Sequence, residues 1–597
     1  MMKRHILAAS IVAALCQPAL INDAEAAGFK PAPAAGNLGA ILVNPYGNSP
    51  LTAILDLGSK RPTDVTVTVH GKGKKGVDID YPVGQKTMNT HDGIPLFGLY
   101  ADYNNQVTVK YTLDGKKYSE KYNVLTGAIT NEYVDNRNIT VLPEVQVKKV
   151  AKGFEDRLYM VNTHTYNQQG SDLHWSGQKS KDAGIFESSP AMGSLPFENA
   201  PITLVVDTQG EIRWWLDQDA VYDGTALDVE KRGYLMGFHD NGEGEITFVQ
   251  GQRYGTFDLL GNFESRRLPR GYVDASHEHN IMPNGDSLVR AAKANYKNSQ
   301  GDIVHTVRDH ILQIDTHGNL VDVWNLSQIL DPYRDALLEA LDMGAVCVNV
   351  DIEQQGQTGE MKIDAPYGDL PGVVAGRNWA HVNSIEYDPK DDSIILSFRH
   401  QGVAKVTRDK KVKWILAPSE GWNEELSKKL LKPVDSKGKP IKCTEKGVCE
   451  GDFDFVYTQH TAWLNPANGR LTVLDNGDGR GHEQPALPTD KYTRFVEYKI
   501  DENKMTVEQT WEYGKERGYE WYSPITSNVE YRPDRDTMFG FGGSIHLYSP
   551  GERTIGKINE IGYDDKKVKV EIDVLSDKPN STHYRAIIVE PTSLFGK

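Results

Sequence analysis

Four segments of this 597-residue chain are variations on one hairpin. They are HEHNIMPNGDSLVRAAK from His277, HVNSIEYDPKDDSIILSFRH from His381, HTAWLNPANGRLTVLDN from His460 and ITSNVEYRPDRDTMFGFGG from Ile525. Each of the first three opens on a histidine and carries an aliphatic residue four positions later, Ile281, Ile385 and Leu464. A polar turn with Pro and Gly or Asp follows, then a second apolar run. In the fourth, Val529-Glu530-Tyr531 lines up with Ile385-Glu386-Tyr387, which places Ile525 where the histidine would stand. Such a repeat constrains the fold more than any single motif, because a unit that cannot bury its own apolar face needs neighbours of the same design.

The four starts lie 104, 79 and 65 residues apart. Six units of roughly 75 residues fill 146–597, so the spacing predicts a six-bladed β-propeller, with 327–375 as an insertion. Elsewhere apolar residues alternate on a period of two between short polar turns. ITLVVDTQGEIRWWLD, HILQIDTHGNLVDVWNL, GVAKVTRDKKVKWIL and FVEYKIDENKMTVEQTWEY each read as a hairpin. Helical spacing appears only in SQILDPYRDALLEALD (327–342) and NEELSKKLLK (423–432). Residues 27–145, with TDVTVTVHGK and NQVTVKYTLDGKKYSEKYNV, read as a separate small β-sandwich for packing or dimerisation. The expected class is all-β throughout.

The net charge of −16 argues against nucleic acid as the main partner, since phosphate binding needs basic surfaces. Past the N-terminus no apolar stretch is long enough to span a membrane. Lys3 and Arg4 precede the apolar run ILAASIVAAL, and Ala24-Glu25-Ala26 fits a cleavage site. Residues 1–26 therefore read as a signal peptide cleaved after Ala26, rather than a lipoprotein signal ending at Cys16, because Leu15 is too bulky before a lipidated cysteine. With export expected, Cys443 and Cys449 in KCTEKGVCEG suit a small disulfide loop better than half of a metal site, no second cysteine pair being present. Cys347 is left over and reads as buried and inert.

A lone histidine in a β protein is usually a satisfied structural residue. Three at one repeat position have a reason to converge, because equivalent positions on different blades point to the same axial region. His277, His381 and His460 form that set, with Arg399 at the end of the strand after His381; Arg290 and Lys293 end the matching strand after His277, and Asp475 the one after His460. His279 competes with His277, since residues two apart on a regular strand share a face. Imidazoles with a guanidinium suit a group with tetrahedral anionic oxygens: a neutral imidazole is a nucleophile, and cations offset charge on the oxygens. The competing chemistry is a three-histidine metal site of a propeller hydrolase or lyase, beside which Arg399 would be an awkward neighbour. No phosphate-cradling loop, dinucleotide fingerprint or GxSxG elbow is present, so no nucleotide donor is expected. DNGDGRGHEQP (475–485) lacks the glutamate of a calcium loop and reads as a rim loop. Trp379, Tyr457 and Trp463 are expected at the mouth of the site.

The blocks NPYGNSPLTAI, DASHEHNIMPNGDSLV, NWAHVNSIEYDP, ILSFRHQG and the segment from Cys443 to His460 resemble the bacterial arylsulfate sulfotransferases over essentially the whole mature chain. The resemblance implies a β-sandwich followed by a six-bladed propeller, a periplasmic homodimer, and no cofactor or metal. It implies transfer of a sulfuryl group from a phenolic sulfate ester to another phenol by a ping-pong route, without a nucleotide donor; the alternative from another class is a non-catalytic propeller that binds sulfated aromatic ligands. By motif, His460 corresponds to the family's nucleophile, which forms a sulfohistidine. His277, His381 and Arg399 correspond to the residues that bind and polarise the sulfuryl oxygens, and Cys443–Cys449 to the family's short disulfide.

Overall fold

The computed structural model describes residues 36–129, 142–166, 199–217, 235–341, 379–482, 491–576 and 583–597, apart from 274, 294–295, 298–300, 302, 305, 307–308, 548 and 550, with the short strands Pro31–Ala32, Glu132–Tyr133 and Arg137–Asn138. The expected leader and Cys347 lie outside the described residues. The protein is mostly β. Its N-terminal part packs a sheet of Ile41–Val43, Thr52–Asp56 and Gly93–Phe97 against one of Ile79–Val83, Thr63–Val69, Tyr103–Leu113 and Lys116–Thr126. TDVTVTV alternates outward threonines with buried Val65, Val67 and Val69, as a strand with one solvent face requires. Tyr81 ties the two sheets together: its hydroxyl donates to the Pro95 carbonyl and accepts from the Phe97 amide.

Beyond residue 143 the described strands form six successive larger sheets and a two-stranded ribbon of Tyr296–Lys297 and Ile303–Val304, all antiparallel except for Lys432–Val434, which joins the fifth sheet in parallel. The first contains Leu158–Tyr166, Asn199–Asp207 and Ile212–Leu216; the second Ile246–Gln250, Arg253–Phe257 and Phe263–Arg267. The third is built on His279–Ile281, Ser287–Lys293, His310–Ile314 and Leu320–Asn325; the fourth on Val382–Asp388, Ser393–Phe398, Gly402–Val406 and Val412–Leu416. The fifth holds His460–Leu464, Leu471–Asp475, Arg494–Asp501 and Thr506–Tyr513; the sixth Asn528–Arg532, Thr537–Ile545, Ile555–Gly562 and Val568–Leu575. The four repeat segments are the leading hairpins of the third to sixth sheets. Two pairings join the ends of this region. Glu144–Val150 adds an edge to the sixth sheet through Val568–Leu575, and His583–Ile588 adds one to the first through Leu158–Tyr166.

Apolar side chains cement each sheet to the next. Leu312 of the third meets Tyr254 of the second, Ile385 of the fourth shares a core with Leu288 of the third, and Trp414 of the fourth shares one with Val473 of the fifth. Leu474 and Phe495 of the fifth pack with Val529 and Met538 of the sixth, while Phe539 and Ile572 of the sixth join Tyr159 and Trp214 of the first. That last core continues into the sandwich. Arg213 donates to the Gly98 carbonyl and stacks 3.8 Å over the Tyr100 ring, and Phe595 of the helix Pro591–Phe595 wedges against Tyr81 and Phe97.

The two expected helices are corrected. Among the described residues 326–341 the helical elements are the single 3-10 turns Leu326–Gln328 and Leu338–Ala340, because Pro332 interrupts the helical pattern and removes a donor. NEELSKKLLK gives the four-residue helix Glu424–Ser427, capped by Asn423, before the chain turns into the strand Lys432–Val434.

Two predictions follow from this packing. Phe595→Ala removes a ring that is 2% exposed, and should cost about 3–5 kcal/mol in urea unfolding while leaving the six sheets' circular-dichroism signature intact. Burial also lowers His91, His279 and His583 to about 4. Their unfolded imidazoles titrate near 6.5, so below that pH the unfolded chain binds more protons. The contribution of these three histidines is complete above about pH 6.5 and falls by about 1.4 kcal/mol per pH unit for each down to about pH 4, while the carboxyls of Asp258 and Glu386, raised by desolvation to about 7 and about 8, contribute in the opposite direction. The melting temperature of a His279→Gln variant should therefore fall less steeply than that of the wild type from pH 6.5 to pH 4, and an unchanged slope would contradict this.

Candidate active site

His277, His381 and His460 all stand where a chain segment enters its leading hairpin, and the backbone there departs from regular strand. His277 and His381 have φ of 70° and 48°, and Thr461, next to His460, has φ of 59°. Left-handed conformations are uncommon for non-glycine residues and a genuine outlier for a β-branched one; they persist where surrounding structure holds them. The ladder is offset at the same places, between Val382 and Ser384 and between His460 and Ala462. These offsets turn the histidines away from the strand faces they would otherwise occupy.

The same kink separates His277 from His279, against the expectation of a shared face. His279 faces the second sheet, with Nδ1 against the carbonyls of Phe248 and Gly255 and Nε2 on the Ser287 hydroxyl. It is a satisfied structural residue. His277 instead meets the His381 ring edge to face at 5.3 Å, and the His381 ring meets His400 at 5.0 Å. Arg399 links this pair to the fifth sheet. Its amide donates to the His381 carbonyl, its Nη1 to the carbonyl of Thr458 at 2.7 Å, and its Nη2 to that of Pro524 at 3.1 Å. His277, His381 and Arg399 are fully buried, and His460 is 2% exposed. Lys293 ends its strand partly exposed over the Tyr272 ring, apart from these contacts.

Hydrogen bonding distinguishes the imidazoles. His460 Nδ1 lies 2.7 Å from Asn476 Oδ1. The Asn476 amide group already donates to the carbonyls of Ser523 and Thr526, so its oxygen faces the histidine and can only accept. Nδ1 of His460 therefore carries the hydrogen, and Nε2 keeps its lone pair. That Nε2 is buried with no hydrogen-bond partner among the described residues. Burial first, then the charge of Arg399, holds His460 well below the usual imidazole range, so it is neutral at ordinary pH. At His277 the arrangement is reversed. Nδ1 faces the Ser276 hydroxyl at 2.6 Å and Nη2 of Arg290 at 3.4 Å; a guanidinium only donates, so Nδ1 accepts and Nε2 carries the hydrogen. One imidazole presents a lone pair and the other an N–H.

Asn476 belongs to the stretch expected as a rim loop. It is no rim: Asp475, Asn476 and Asp478 are all fully buried. Asp475 accepts from the Tyr457 amide and pairs with Arg480 and Arg494, and the Asp478 carboxylate pairs with Lys491. The strand pairing of His460 with Leu474, two residues before Asn476, is the signal that could have found it. The fourth repeat, which has Ile525 in place of a histidine, supplies the backbone carbonyls of Ser523, Pro524 and Thr526 that aim Asn476 and Arg399. Trp379, Tyr457 and Trp463 are buried rather than at a mouth. Trp463 and His239 instead line a cavity of about 810 Å³ at the far ends of the leading strands, beside Glu386, Glu530 and Arg532.

Cys443 and Cys449 are bonded across a tight hairpin. The turn between them carries Lys446, whose carbonyl accepts from the Tyr457 hydroxyl at 2.9 Å, and Gly447 lies so close to that hydroxyl that a β-carbon would clash. The disulfide hairpin thus braces Tyr457, three residues before His460. Among the described residues, no group of three or more His, Cys, Asp or Glu is placed to hold a metal ion. No helix among them is long and apolar enough to cross a membrane.

Comparison with known proteins agrees with this chemistry. Residues 144–585 match the family model described as arylsulfotransferase (ASST), and residues 40–127 match that of the arylsulfotransferase Ig-like domain. The chain is 62% identical over 572 residues to arylsulfate sulfotransferase AssT of Escherichia coli O6:H1 (strain CFT073), covering 96% of both chains. It is 60% identical over 576 residues to arylsulfate sulfotransferase AssT of Lelliottia amnigena, again covering 96% of both. The chain belongs to the arylsulfotransferase family and is an aryl-sulfate sulfotransferase.

Proposed function

We propose that this enzyme moves a sulfuryl group between phenols by a ping-pong route through a sulfohistidine at His460. The observation that carries the reading is the fixed tautomer of His460, whose unshared Nε2 lone pair is what a nucleophile requires. Nε2 attacks the sulfur of the aryl sulfate; the N–S bond forms as the S–O bond to the aryl group breaks, and the phenolate leaves with the electron pair. Nδ1 keeps its hydrogen on Asn476, so the sulfurylated ring is a cation and a good leaving group. The acceptor, having given up its proton, attacks the same sulfur as phenolate, and Nε2 recovers its lone pair. Arg399 and the N–H of His277 face the sulfuryl oxygens, with His381 between them, and offset their charge as the group transfers.

The same reading places 146–597 in a six-bladed β-propeller preceded by a sandwich over 27–145. The unbroken run of packed cores from the first sheet to the sixth, and from the sixth back to the first, supports it. So do the two pairings that join its ends. Export through residues 1–26 to the periplasm fits a bonded Cys443–Cys449, because such bonds persist in oxidising compartments. A homodimer completes the proposal.

His460→Asn should lower sulfate exchange between two phenols by roughly a thousandfold or more while unfolding remains cooperative. Donor added without acceptor should leave one sulfuryl group on the wild-type protein, mapped by mass spectrometry to His460; a label elsewhere would sink the nucleophile assignment. Replacing both Cys443 and Cys449 by Ser should cost about 2 kcal/mol of stability and lower turnover through the freed Tyr457 anchor. Unchanged turnover in that variant would remove the link from the disulfide to catalysis.

A further inference from the structure

Behind the histidines lies a second layer of charge that the reaction scheme above does not use. Arg585, on the strand His583–Ile588 that closes the first sheet, is 1% exposed. Its guanidinium forks onto Glu278, with Nη1 3.3 Å from Oε1 and Nη2 3.2 Å from Oε2, and lies 5.0 Å over the Trp463 ring. Glu278 follows His277 directly and is fully buried; its carboxylate also contacts Nε2 of His239. His239 in turn packs edge-on against Trp463 at 5.0 Å. The cluster therefore draws on the first, third and fifth sheets and on the segment leading into the second. It touches the histidines through Glu278, next to His277, and through Tyr584, whose ring meets His277 edge to face at 5.8 Å, and it touches the far cavity, which His239 and Trp463 line. Nε of Arg585 has no hydrogen-bond partner among the described residues.

We infer that Arg585 and Glu278 are positioning residues for sulfuryl transfer: Arg585 is a second fixed cation behind His460, and Glu278 sets how much of its charge the site feels. The inference rests on His460 being the nucleophile. Arg399, Arg585 and Arg290 beside His277, against the single carboxylate of Glu278, leave the site net positive, which suits the anionic sulfate of an aryl sulfate. Arg585 also joins burial and Arg399 in holding His460 neutral. The other charged or titratable groups around His460 and its neighbours are His277 with Arg290, His381 with His400, His239, Glu386 beyond Glu278, and Asp475 and Asp478, which are paired with Arg480, Arg494 and Lys491.

The donor carries its negative charge on the sulfate oxygens, beside the histidines, and transfer moves charge from them to the leaving oxygen. A cation fixed beside the histidines therefore favours the bound anionic donor over the transition state. Too much charge there tightens donor binding and slows transfer, and Glu278 prevents that.

The test is steady-state kinetics of the full enzyme with an aryl sulfate donor and a phenol acceptor, over a range of pH. Glu278→Gln should lower the donor KM about fivefold and lower kcat with it, because Arg585 is left uncompensated. A Glu278→Gln variant with unchanged or raised donor KM overturns the inference. Removing one partner of a buried pair can unfold a protein, so the neutral double variant Arg585→Gln/Glu278→Gln provides the second arm. Glu278→Gln should also move the acid limb of kcat/KM for the donor to lower pH, because Arg585 then bears on His460 uncompensated, whereas the double variant, with no charge left unpaired, should return donor KM, kcat and the acid limb to about the wild-type values. A double variant that keeps a fivefold-lowered donor KM or a displaced acid limb overturns the inference even if Glu278→Gln fails to fold. Mapping the sulfuryl label in the same variants separates the two readings: a label absent from His460 defeats the nucleophile assignment, whereas a label on His460 with unmoved kinetics in Glu278→Gln defeats only the role given to Arg585 and Glu278.

Discussion

Two strand pairings between residues more than 400 apart hold the rest of this structure in place. Glu144–Val150 pairs with Val568–Leu575, and Leu158–Tyr166 with His583–Ile588. Closing a chain over such a distance has a cost that grows only slowly with loop length, whereas each ladder and the cores beside it are added in full. Arg157 shows how firmly the seam is sealed. It is 3% exposed and bonds the carboxylates of Glu560, Asp534 and Glu590, which come from both sides of the join. The closing strand also carries Arg585 and Tyr584 into the interior, so the join and the site are built by the same residues.

The site itself is governed by burial. Taking histidines and arginines out of water favours neutral imidazoles and makes every fixed charge count for more. The structure meets the cost of the arginines with backbone carbonyls for Arg399 and a carboxylate for Arg585. The left-handed backbone at His277, His381 and Thr461 is part of the same arrangement, because regular strand would have sent those side chains into the sheet faces. Strain and burial together yield opposite tautomers at His460 and His277, so that one ring presents a lone pair and the other an N–H.

Much of this was legible in the residues. Period-two alternation located the hairpins, and every one of the four quoted hairpins forms, because a strand with a two-to-four-residue polar turn needs only local information. The two helices failed for a comparable local reason, Pro332 in one and a short capped turn in the other. Asn476 went unseen because its Asp/Gly-rich surroundings look like a surface loop. What buries that loop is the apposition of the fifth and sixth sheets, which no local pattern announces. His279 rivalled His277 on paper only because the strand was taken as regular.

The sequence by itself determined that three histidines share one repeat position, since that follows from the spacing of the units. It also determined that an arginine ends the strand after the second, and that two cysteines close a short turn before the third. Tertiary structure alone decided which nitrogen of His460 bears the hydrogen, because Asn476 is aimed by carbonyls from the next repeat. It likewise decided that Arg585 and Glu278, 307 residues apart, meet beneath the histidines. The physical reason is the same in both cases: hydrogen bonds and buried charges are settled by whichever polar groups the packing brings within reach.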